Sequence, residues 1–460
     1  MNETMNESMN NAKRKKNQIV IYSVLFASLI ASGIFAAPAS AADLLQTYQE
    51  ALQNDPQYAS ARASLTAGQE KSVQGRALLL PTIGITGSTT SSSSNYSSGG
   101  VSVNGVKSTN GNYTLQLTQP LIHWENWQQY EQGKLQVLAS EALFGQAQLD
   151  LMVRVSQAYF DVLSAQDTLE SVRANKTAIT EQLSFAKRNF EVGTTTITDQ
   201  HEAQARYDLA VASEFAAEND LEIKRSTLQQ IIGHEPDGLA PLHKGVQLSA
   251  PEPTNINDWV SAAEFNNYGV VGAQVTQEIA KRTISLNRAG HLPTLDLVAN
   301  VNRSNNSAIP IEQQPAFVDT SRNIGIQLNI PLFSGFAVTS KVREAIALED
   351  KAGNDFETAK RSAALAARQA YLGVNSGLAQ VKAYEAAEIS SQSALDSNVL
   401  GYQVGVRINI DVLNAQQQLY TTQQNLSKAR YDTIMNGLRL KAAASSLKQE
   451  DLAQVNALLH

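Results

Sequence analysis

The chain contains an internal duplication with a constant spacing of 212 residues. Leu-Pro-Thr occurs at 80–82 and again at 292–294, and the two prolines are separated by 293 − 81 = 212 positions. Gln-Ala-Tyr at 157–159 returns at 369–371 with the same spacing. Solenoid repeats are much shorter, at about 20–50 residues. The spacing therefore predicts two related half-proteins, each with strand-like and helix-like segments.

The first 41 residues have the composition of a secretory signal peptide. A basic stretch at 13–16 precedes an apolar stretch at 19–35, and Ala39-Ser40-Ala41 offers a small-residue cleavage site. A retained membrane anchor is the alternative, because the apolar stretch is long for a signal. No later stretch approaches the roughly 18 apolar residues of a spanning helix, so we expect none in the mature chain.

Charge and cysteine content exclude several classes of protein. The chain has a formal charge of −7, and removal of four basic and two acidic residues at 1–41 leaves about −9. A negative chain without a basic tract is a poor nucleic-acid binder. The chain has no cysteine, so it has no disulfide framework, thiolate zinc site or lipid-bearing cysteine.

Four short segments, two near 82–121 and two near 294–331, alternate apolar and polar residues with the period typical of strands. Their apolar positions are Ile83, Ile85, Tyr113, Leu115, Leu117, Leu295, Leu297, Ala299, Val301, Ile324, Ile326, Leu328 and Ile330. Each run approaches the ~10 residues of a tilted membrane strand with apolar residues outward and polar residues inward. Soluble hairpins packed on a core are the alternative. The Ser/Thr/Gly-rich stretch 88–100 and the polar stretch 303–322 predict exposed hairpin loops.

Aromatic residues cluster where the strand segments give way to helix-like sequence. They are Trp124, Trp127, Phe333 and Phe336. Tryptophan and other aromatic residues are common at membrane interfaces, so these four fit an interface belt. Burial in an ordinary core at the helix starts fits them equally well.

Two segments without proline predict very long helices, from about His123 to Glu191 and from about Ala337 to Leu400. At ~1.5 Å per residue each forms a rod of about 95–100 Å, which requires a coiled-coil partner. Heptad spacing follows in each half. The first seam comprises Ala203, Tyr207, Ala210, Glu214, Ala217, Leu221, Lys224, Leu228 and Ile231. The second comprises Val412, Ala415, Leu419, Thr422, Leu426, Ala429, Thr433, Asn436, Leu440, Ala443 and Leu447. Their small and polar residues favour a hollow helical cylinder with walls that partly face water.

Each long helix is predicted to end in a tight helical hairpin. Val-Gly at 192–193 and at 404–405 marks the ends, because glycine beyond a helix commonly adopts the left-handed conformation. Thr198-Asp199 and Asn409-Ile410-Asp411 provide capping-type residues for the next helices. The glycines and prolines of 233–255 predict an irregular join between the halves.

Several motifs together resemble the TolC family of trimeric outer-membrane channels. They are HLPTLDL at 291–297, LQLTQP at 115–120, ITD at 197–199, Tyr402-x-Val-Gly-x-Arg407 and DVL at 411–413. The likeness runs from about Asp43 to Val455, almost the whole mature chain. It implies a fold that mixes a membrane β-barrel with an α-helical barrel. In this fold each protomer of a homotrimer gives four strands to a shared twelve-stranded barrel, and long helices form a periplasmic tunnel with a closable inner end.

The residues alone already require an oligomer, because four strands cannot close a barrel whose minimum is about eight. They leave two, three or four copies open, and the resemblance selects three. The predicted organisation is a signal peptide at 1–41, a first repeat at 42–232, an equatorial linker at 233–255, a second repeat at 256–447 and a C-terminal segment at 448–460.

The resemblance implies an outer-membrane exit duct for tripartite drug efflux and type I protein secretion. Its expected partners are outer-membrane lipid, a periplasmic adaptor, and an inner-membrane RND or ABC transporter that supplies energy. The alternative is a structural envelope tether that does not conduct. We expect no enzyme, no metal and no cofactor. Six histidines are scattered, and Ser-x-x-Lys at 184–187 and at 445–448 lies on heptad helices, where it occurs by chance.

The resemblance also implies three functional regions near the hairpins. Adaptor docking falls on Val192, Gly193, Thr194, Val404, Gly405 and Val406, unless the glycines only end helices. A pore ring that binds cations falls on Asp411 and Asn414, unless Asp411 is only a helix cap. Asn414 departs from the family pattern, which has an acidic residue there, so we expect weaker cation block.

The third region is a latch that holds the tunnel's inner end shut. The resemblance assigns it to Gln182, Thr198, Asp199, Tyr402 and Arg407. Arg407 is a donor fork and Asp199 an acceptor, so links between adjacent hairpins resist outward movement. Val399 stands where the family has a glutamate partner for the arginine, which predicts a looser closed state. Solvated tip residues without a gating role are the alternative.

Overall fold

The structure is a computed structural model that describes residues 42–236, 238–243, 245–308 and 315–459, so the predicted signal peptide lies outside the described residues. The first half holds α1, α2, β1, β2, α3 and α4, which are Leu44–Asn54, Pro56–Ala77, Thr82–Ser98, Val101–Ile122, Trp124–Glu191 and Ile197–Ile232. The second half holds α5, α6, β3, β4, α7 and α8, which are Ile256–Asn266, Tyr268–Ala289, Thr294–Asn306, Phe317–Asn329, Ala337–Gln403 and Asn409–Ala443. A short helix α9, Gln449–Asn456, follows.

The long helices are confirmed. Helix α3 has 68 residues and α7 has 67, so each is about 100 Å long. Helix α4 packs back along α3, and α8 packs back along α7. The predicted seams are largely buried in these pairs, for example at Ala203, Ala210, Leu228, Leu419 and Leu426. No helix among the described residues combines the length and apolarity needed to cross a membrane.

The two charged seam residues are paired across helices. Glu214 of α4 accepts from Lys176 Nζ at 2.5 Å and from Arg173 Nε at 3.2 Å, both on α3. Lys224 Nζ lies 3.6 Å from an Asp161 carboxylate oxygen on α3. Hydrogen bonding from Lys176 is the main cause of a lowered Glu214 pKa. The two charged positions of the first seam therefore form ion pairs between helices.

The four strands form one antiparallel sheet in the order β1-β2-β3-β4. The prediction of loops was wrong for most of 88–100 and for both ends of 303–322. Strand β1 continues to Ser98, and Gly99 and Gly100, with φ of 59° and 84°, form the turn into β2. The serines and threonines of 88–98 remain extended because each pairs with a residue in the first half of β2. Strands β3 and β4 likewise include 303–306 and 317–322.

The sheet has two unlike faces, since directly opposed residues of a ladder share a face. One row across the sheet is Ile83, Leu117, Ala299 and Ile324, and we call its side the apolar face. The adjacent row is Gly84, Gln116, Asn300 and Asn323, and its side is the polar face. Apolar side chains are strongly exposed in the single chain, with Ile85 at 75% and Ile324 at 77%. This face therefore lacks a covering layer among the described residues.

The four aromatic residues beside the sheet are also exposed, so the alternative of a core at the helix starts was wrong within the chain. Trp124 is 52% exposed, Trp127 46%, Phe333 76% and Phe336 74%. The Phe333 and Phe336 rings meet edge to face with centroids 5.5 Å apart.

A run of fully buried side chains lies at the middle of α3. Tyr159 and Phe160 are buried there, and the Tyr159 hydroxyl donates to the Ala240 carbonyl at 2.9 Å. Phe160 also packs on Tyr431 of α8, with ring centroids 5.6 Å apart. The segment around Ala240 has no helix or named strand between 233 and 255 among its described residues. This packing connects α3 both to the irregular segment and to α8 of the second helix pair.

Candidate functional site

The candidate site lies at the two helical hairpins, and both long helices end there in the same way. We call residues 192–196 the first tip and 404–408 the second tip. Gly193 and Gly405 have φ of 76° and 79°. The next N–H, of Thr194 or Val406, donates to a carbonyl five residues back at 2.8 or 2.9 Å. These are Schellman motifs, and they confirm the predicted helix terminators.

The tips present apolar side chains to solvent. Val192 is 72% exposed, Val404 64% and Val406 75%. A Cβ built on Gly193 or Gly405 meets nothing within 4 Å. Glycine is therefore favoured at these positions by the left-handed backbone conformation and not by lack of space, and the surface around both tips is open.

The helices that follow the tips begin differently. Thr196, not the predicted Thr198, caps α4, because its hydroxyl accepts from the Asp199 N–H at 3.3 Å. The Asp199 carboxylate in turn accepts from the Thr196 N–H at 3.2 Å, which completes a capping box. At α8 the capping position is Ile408, which has no side-chain oxygen, so no side-chain cap forms. The predicted caps at 409–411 lie inside the first turn instead.

The structure attaches this uncapped turn to α3. Asn409 is buried, and its amide oxygen accepts a hydrogen bond from Gln182 Nε2. Gln182 thus contacts the residue two positions after Arg407 within the chain. Asn409 was not singled out as a site residue. Its contact with α3 was not visible in the sequence, because amide pairs between helices carry no spacing signal.

Arg407 of the second tip is more than half exposed and points toward the first turn of α8. Its Nη1 lies 3.6 Å from an Asp411 carboxylate oxygen, one turn along. Its stem packs over Gly401, where a Cβ would come within 2.7 Å of Arg407 Cγ. Gly401 therefore leaves space for the Arg407 side chain. This role could not be predicted from the presence of a glycine in the sequence. Asp199 and Arg407 share no ion pair among the described residues.

Tyr402 lies between the helices of the two halves. Its ring meets Phe185 edge to face, with centroids 5.8 Å apart. Burial is the main cause of a raised Tyr402 pKa, with a smaller contribution of the same sign from Asp199 and an opposing one from Asn189. The hydroxyl is enclosed and has no partner of good hydrogen-bond geometry in the described chain. The structure thus brings Asp199 near Tyr402 without a direct bond.

Asn414 is held by a residue that sequence reasoning missed. Arg206 of α4 donates from Nη2 to the Asn414 amide oxygen at 2.9 Å. Asn414 is exposed and Arg206 is half-buried. Asp411, one turn earlier, is the acceptor nearest Arg407. Each of the two predicted ring positions therefore has an arginine beside it. The described residues contain no cluster of three or more His, Asp or Glu suited to a metal ion.

Comparison with known proteins decides the family. The profile described as "Outer membrane efflux protein" matches the chain twice, at residues 47–234 and 259–446. The chain belongs to the outer membrane efflux protein family.

Relatives agree with this assignment over almost the whole chain. "Outer membrane protein TolC" of Vibrio cholerae is 34% identical over 93% of this chain and 96% of its own length. "Alkaline protease secretion protein AprF" of Pseudomonas aeruginosa is 33% identical over 91% of this chain and 88% of its own. The fold matches the Campylobacter jejuni CmeC outer membrane channel with a TM-score of 0.77 at 15% identity, over 91% and 90% of the two chains. The predicted TolC-family resemblance and outer-membrane location, with a periplasmic part, are confirmed.

Proposed function

We propose that the protein is a passive outer-membrane exit duct for drug efflux and type I protein secretion, assembled from three copies. The observation that carries the proposal is the four-stranded sheet with one apolar and one polar face. Strands β1 and β4 are unpaired on their outer edges within the described chain. Open edges are not tolerated in lipid, so the sheet requires further copies to close.

Three copies supply twelve strands, which is within the range of membrane barrels, whereas four strands are below the minimum of about eight. In such a barrel the apolar face meets lipid and the polar face lines a water-filled lumen. The paired helices of about 100 Å then extend the lumen through the periplasm. Cross-helix ion pairs such as Glu214 with Lys176 suit a wall that is wet on one side.

The names of the relatives support both cargo classes, since one is an alkaline protease secretion protein and the family is an efflux family. A duct without an energy source of its own requires an inner-membrane RND or ABC transporter and a periplasmic adaptor. Residues 192–194 and 404–406 of the two tips are the proposed adaptor surface, because they are similar and exposed and include the apolar Val192, Val404 and Val406. Tyr402, Arg407, Asp199, Thr198 and Gln182 are the proposed latch, and Asp411 with Asn414 the proposed pore ring.

Single-channel recording tests the duct against the non-conducting tether. Purified protein added to a planar bilayer is expected to give discrete conductance steps, whereas a tether gives no ion current. Deletion in the source bacterium separates the cargo classes. Increased drug sensitivity indicates efflux, loss of extracellular protease indicates secretion, and a strain with neither phenotype contradicts the proposal.

A further inference from the structure

The charged residues of the sheet are segregated between its two faces. The described strands contain three cationic residues, Lys107, Arg303 and Arg322, and two carboxylates, Asp296 and Asp319. Arg322 is directly opposite Val301, and Arg303 is opposite Tyr113, so both arginines lie on the apolar face.

Lys107 is opposite Ser93, in the same alternation as Ile83, and is on the apolar face too. Asp296 is opposite Gln327 and Asp319 is opposite Ser304, so both carboxylates lie on the polar face. All the positive charge of the described strands is therefore on the side that carries the exposed apolar residues.

The two arginines lie at one end of the apolar band. The band runs from Leu295 to Val301 along β3, which is about 20 Å at ~3.3 Å per residue. Arg322 is level with Val301, and Arg303 is one row further toward the hairpin turns. The helices leave the sheet at the opposite end. Lys107 lies six residues beyond Tyr113, about 20 Å further out.

Both guanidinium groups are exposed and available to a ligand. Neither makes an ion pair or side-chain hydrogen bond with the described residues. They are diagonal neighbours on β3 and β4, a spacing of about 7–8 Å that long side chains bridge. Tyr113 lies beside them, its ring 3.2 Å from the position of a Cβ on Gly87. Arginine presents a donor fork that matches phosphate oxygens, and its stem can lie along apolar surface.

We propose that Arg303 and Arg322, with Tyr113 beside them, bind the phosphate groups of a phosphorylated glycolipid in the outer leaflet. The proposal rests on the proposed function, which sets the sheet across the outer membrane with its hairpin turns outside. A lipid-borne phosphate fits better than a soluble one. The apolar face continues without interruption from Arg322 to Leu328 and can pack against acyl chains, whereas a soluble anion needs no such surface.

The test is a lipid-binding titration with the purified full-length protein in nanodiscs of zwitterionic lipid. The probes are diphosphorylated lipid A and its dephosphorylated form. The unaltered protein is expected to bind the phosphorylated form about tenfold more tightly, since each basic side chain near an anionic headgroup adds to the affinity. Arg303→Gln with Arg322→Gln is expected to abolish this preference. Arg361→Gln is the matched control, because its side chain is 79% exposed on α7 far from the sheet.

Equal binding of both lipids by the unaltered protein would overturn the proposal. It would also be overturned if Arg361→Gln lost the phosphate preference as completely as the Arg303→Gln, Arg322→Gln variant. Displacement of the lipid by millimolar inorganic phosphate would assign the site to a soluble anion instead. If the glutamine variant fails to assemble, the same titration is made with Arg303→Lys and Arg322→Lys. This lysine variant is expected to keep a preference for the phosphorylated lipid, but a smaller one. Conductance is recorded on the same samples. A protein that conducts without a phosphate preference refutes this inference alone, whereas one that never conducts refutes the proposed function.

Discussion

The start of α8 shows how single residues set the charge around the proposed pore ring. Asp411 has Arg407 one turn away at 3.6 Å, and Asn414 accepts from Arg206 at 2.9 Å. A ring of carboxylates attracts cations only if nearby positive groups do not offset it. Arg206 therefore matters as much as the missing acid at Asn414 for any cation site here.

We expect Asn414→Asp alone to increase block by trivalent cations only slightly, because the new carboxylate forms an ion pair with Arg206. Asn414→Asp combined with Arg206→Gln is expected to lower the half-blocking concentration about tenfold, since an unpaired acidic ring then faces the lumen. Single-channel current with increasing hexamminecobalt(III) measures the effect. Arg225→Gln, which removes a charge paired only with Glu222 on α4, is the control. A double variant blocked no more strongly than the unaltered channel would exclude the pore ring.

The latch is also decided by individual side chains. Tyr402 is partly enclosed by Phe185 near Asp199, whereas among the described residues the one carboxylate that pairs with Arg407 is that of Asp411. In the proposed latch, links from Arg407 to another hairpin therefore form between copies. Exposed polar links contribute only about 0–1 kcal/mol each, so the closed state depends on several together.

Tyr402→Phe combined with Arg407→Ser is expected to raise resting conductance and admit vancomycin. Planar-bilayer current and vancomycin susceptibility measure the change. Arg188→Ser, an exposed arginine at the end of α3, controls for loss of a cation. Correctly assembled trimers of the double variant with unchanged conductance would refute the latch.

At the scale of elements, the sequence predicted helices better than strand ends and caps. Proline-free length predicted α3 and α7, and heptad spacing predicted the buried seams of α4 and α8, because these signals accumulate over many residues. The length of β1 was missed because its Ser-rich half is also typical of a loop. Only pairing with β2 keeps that half extended. The cap at Thr196 was assigned two residues late, since several hydroxyl residues adjoin it and the helix start selects one. Site contacts such as Arg206 with Asn414 depend on helix packing that one sequence does not give.

Substitutions at the tips test whether the hairpins are the surface that docks the adaptor. We expect Val192→Asp with Val404→Asp to leave assembly intact, because both side chains are exposed, but to lower drug resistance at least about fourfold by placing charge in an apolar contact. Drug susceptibility and cross-linking to the adaptor measure the effect. Leu209→Asp with Ile389→Asp is the control, since these apolar side chains are 64% and 70% exposed on α4 and α7 outside both tips. Full resistance in the aspartate variant would contradict docking at the tips.

The α3–α4 pair gives a pH-dependent prediction. The pKa of Glu214 is lowered, mainly by Lys176, so its contribution to stability is present above the unfolded pKa of about 4.3 and is lost as the pH falls through the folded value. Glu214→Gln is expected to lower the unfolding temperature at pH 7, by a difference that shrinks as the pH falls below the unfolded pKa of about 4.3. Circular dichroism during heating over a series of pH values measures it. A difference that stays constant as the pH falls would contradict an ionic role for Glu214.

For the whole molecule, the sheet is the part that a single chain leaves incomplete. Among the described residues nothing covers its apolar face or pairs with its two edges, whereas the helices already bury their seams in pairs. The proposed assembly of three copies in the outer membrane would resolve both problems at once, because closure would pair the edges and lipid would cover the apolar face. Membrane insertion and oligomerisation are therefore expected to be coupled.

Two neighbouring positions on β4 test this coupling. Ile324 is 77% exposed on the apolar face, so Ile324→Arg places a charge in lipid at a cost of about 2–4 kcal/mol near the midplane. Gly325 is on the polar face, and a Cβ there meets nothing within 4 Å, so Gly325→Arg adds the same charge to the lumen. We expect Ile324→Arg to reduce heat-resistant trimers in outer-membrane fractions several-fold, and Gly325→Arg to preserve them and alter ion selectivity. Equal loss of trimers in both variants would contradict the assignment of the apolar face to lipid and of the polar face to the lumen.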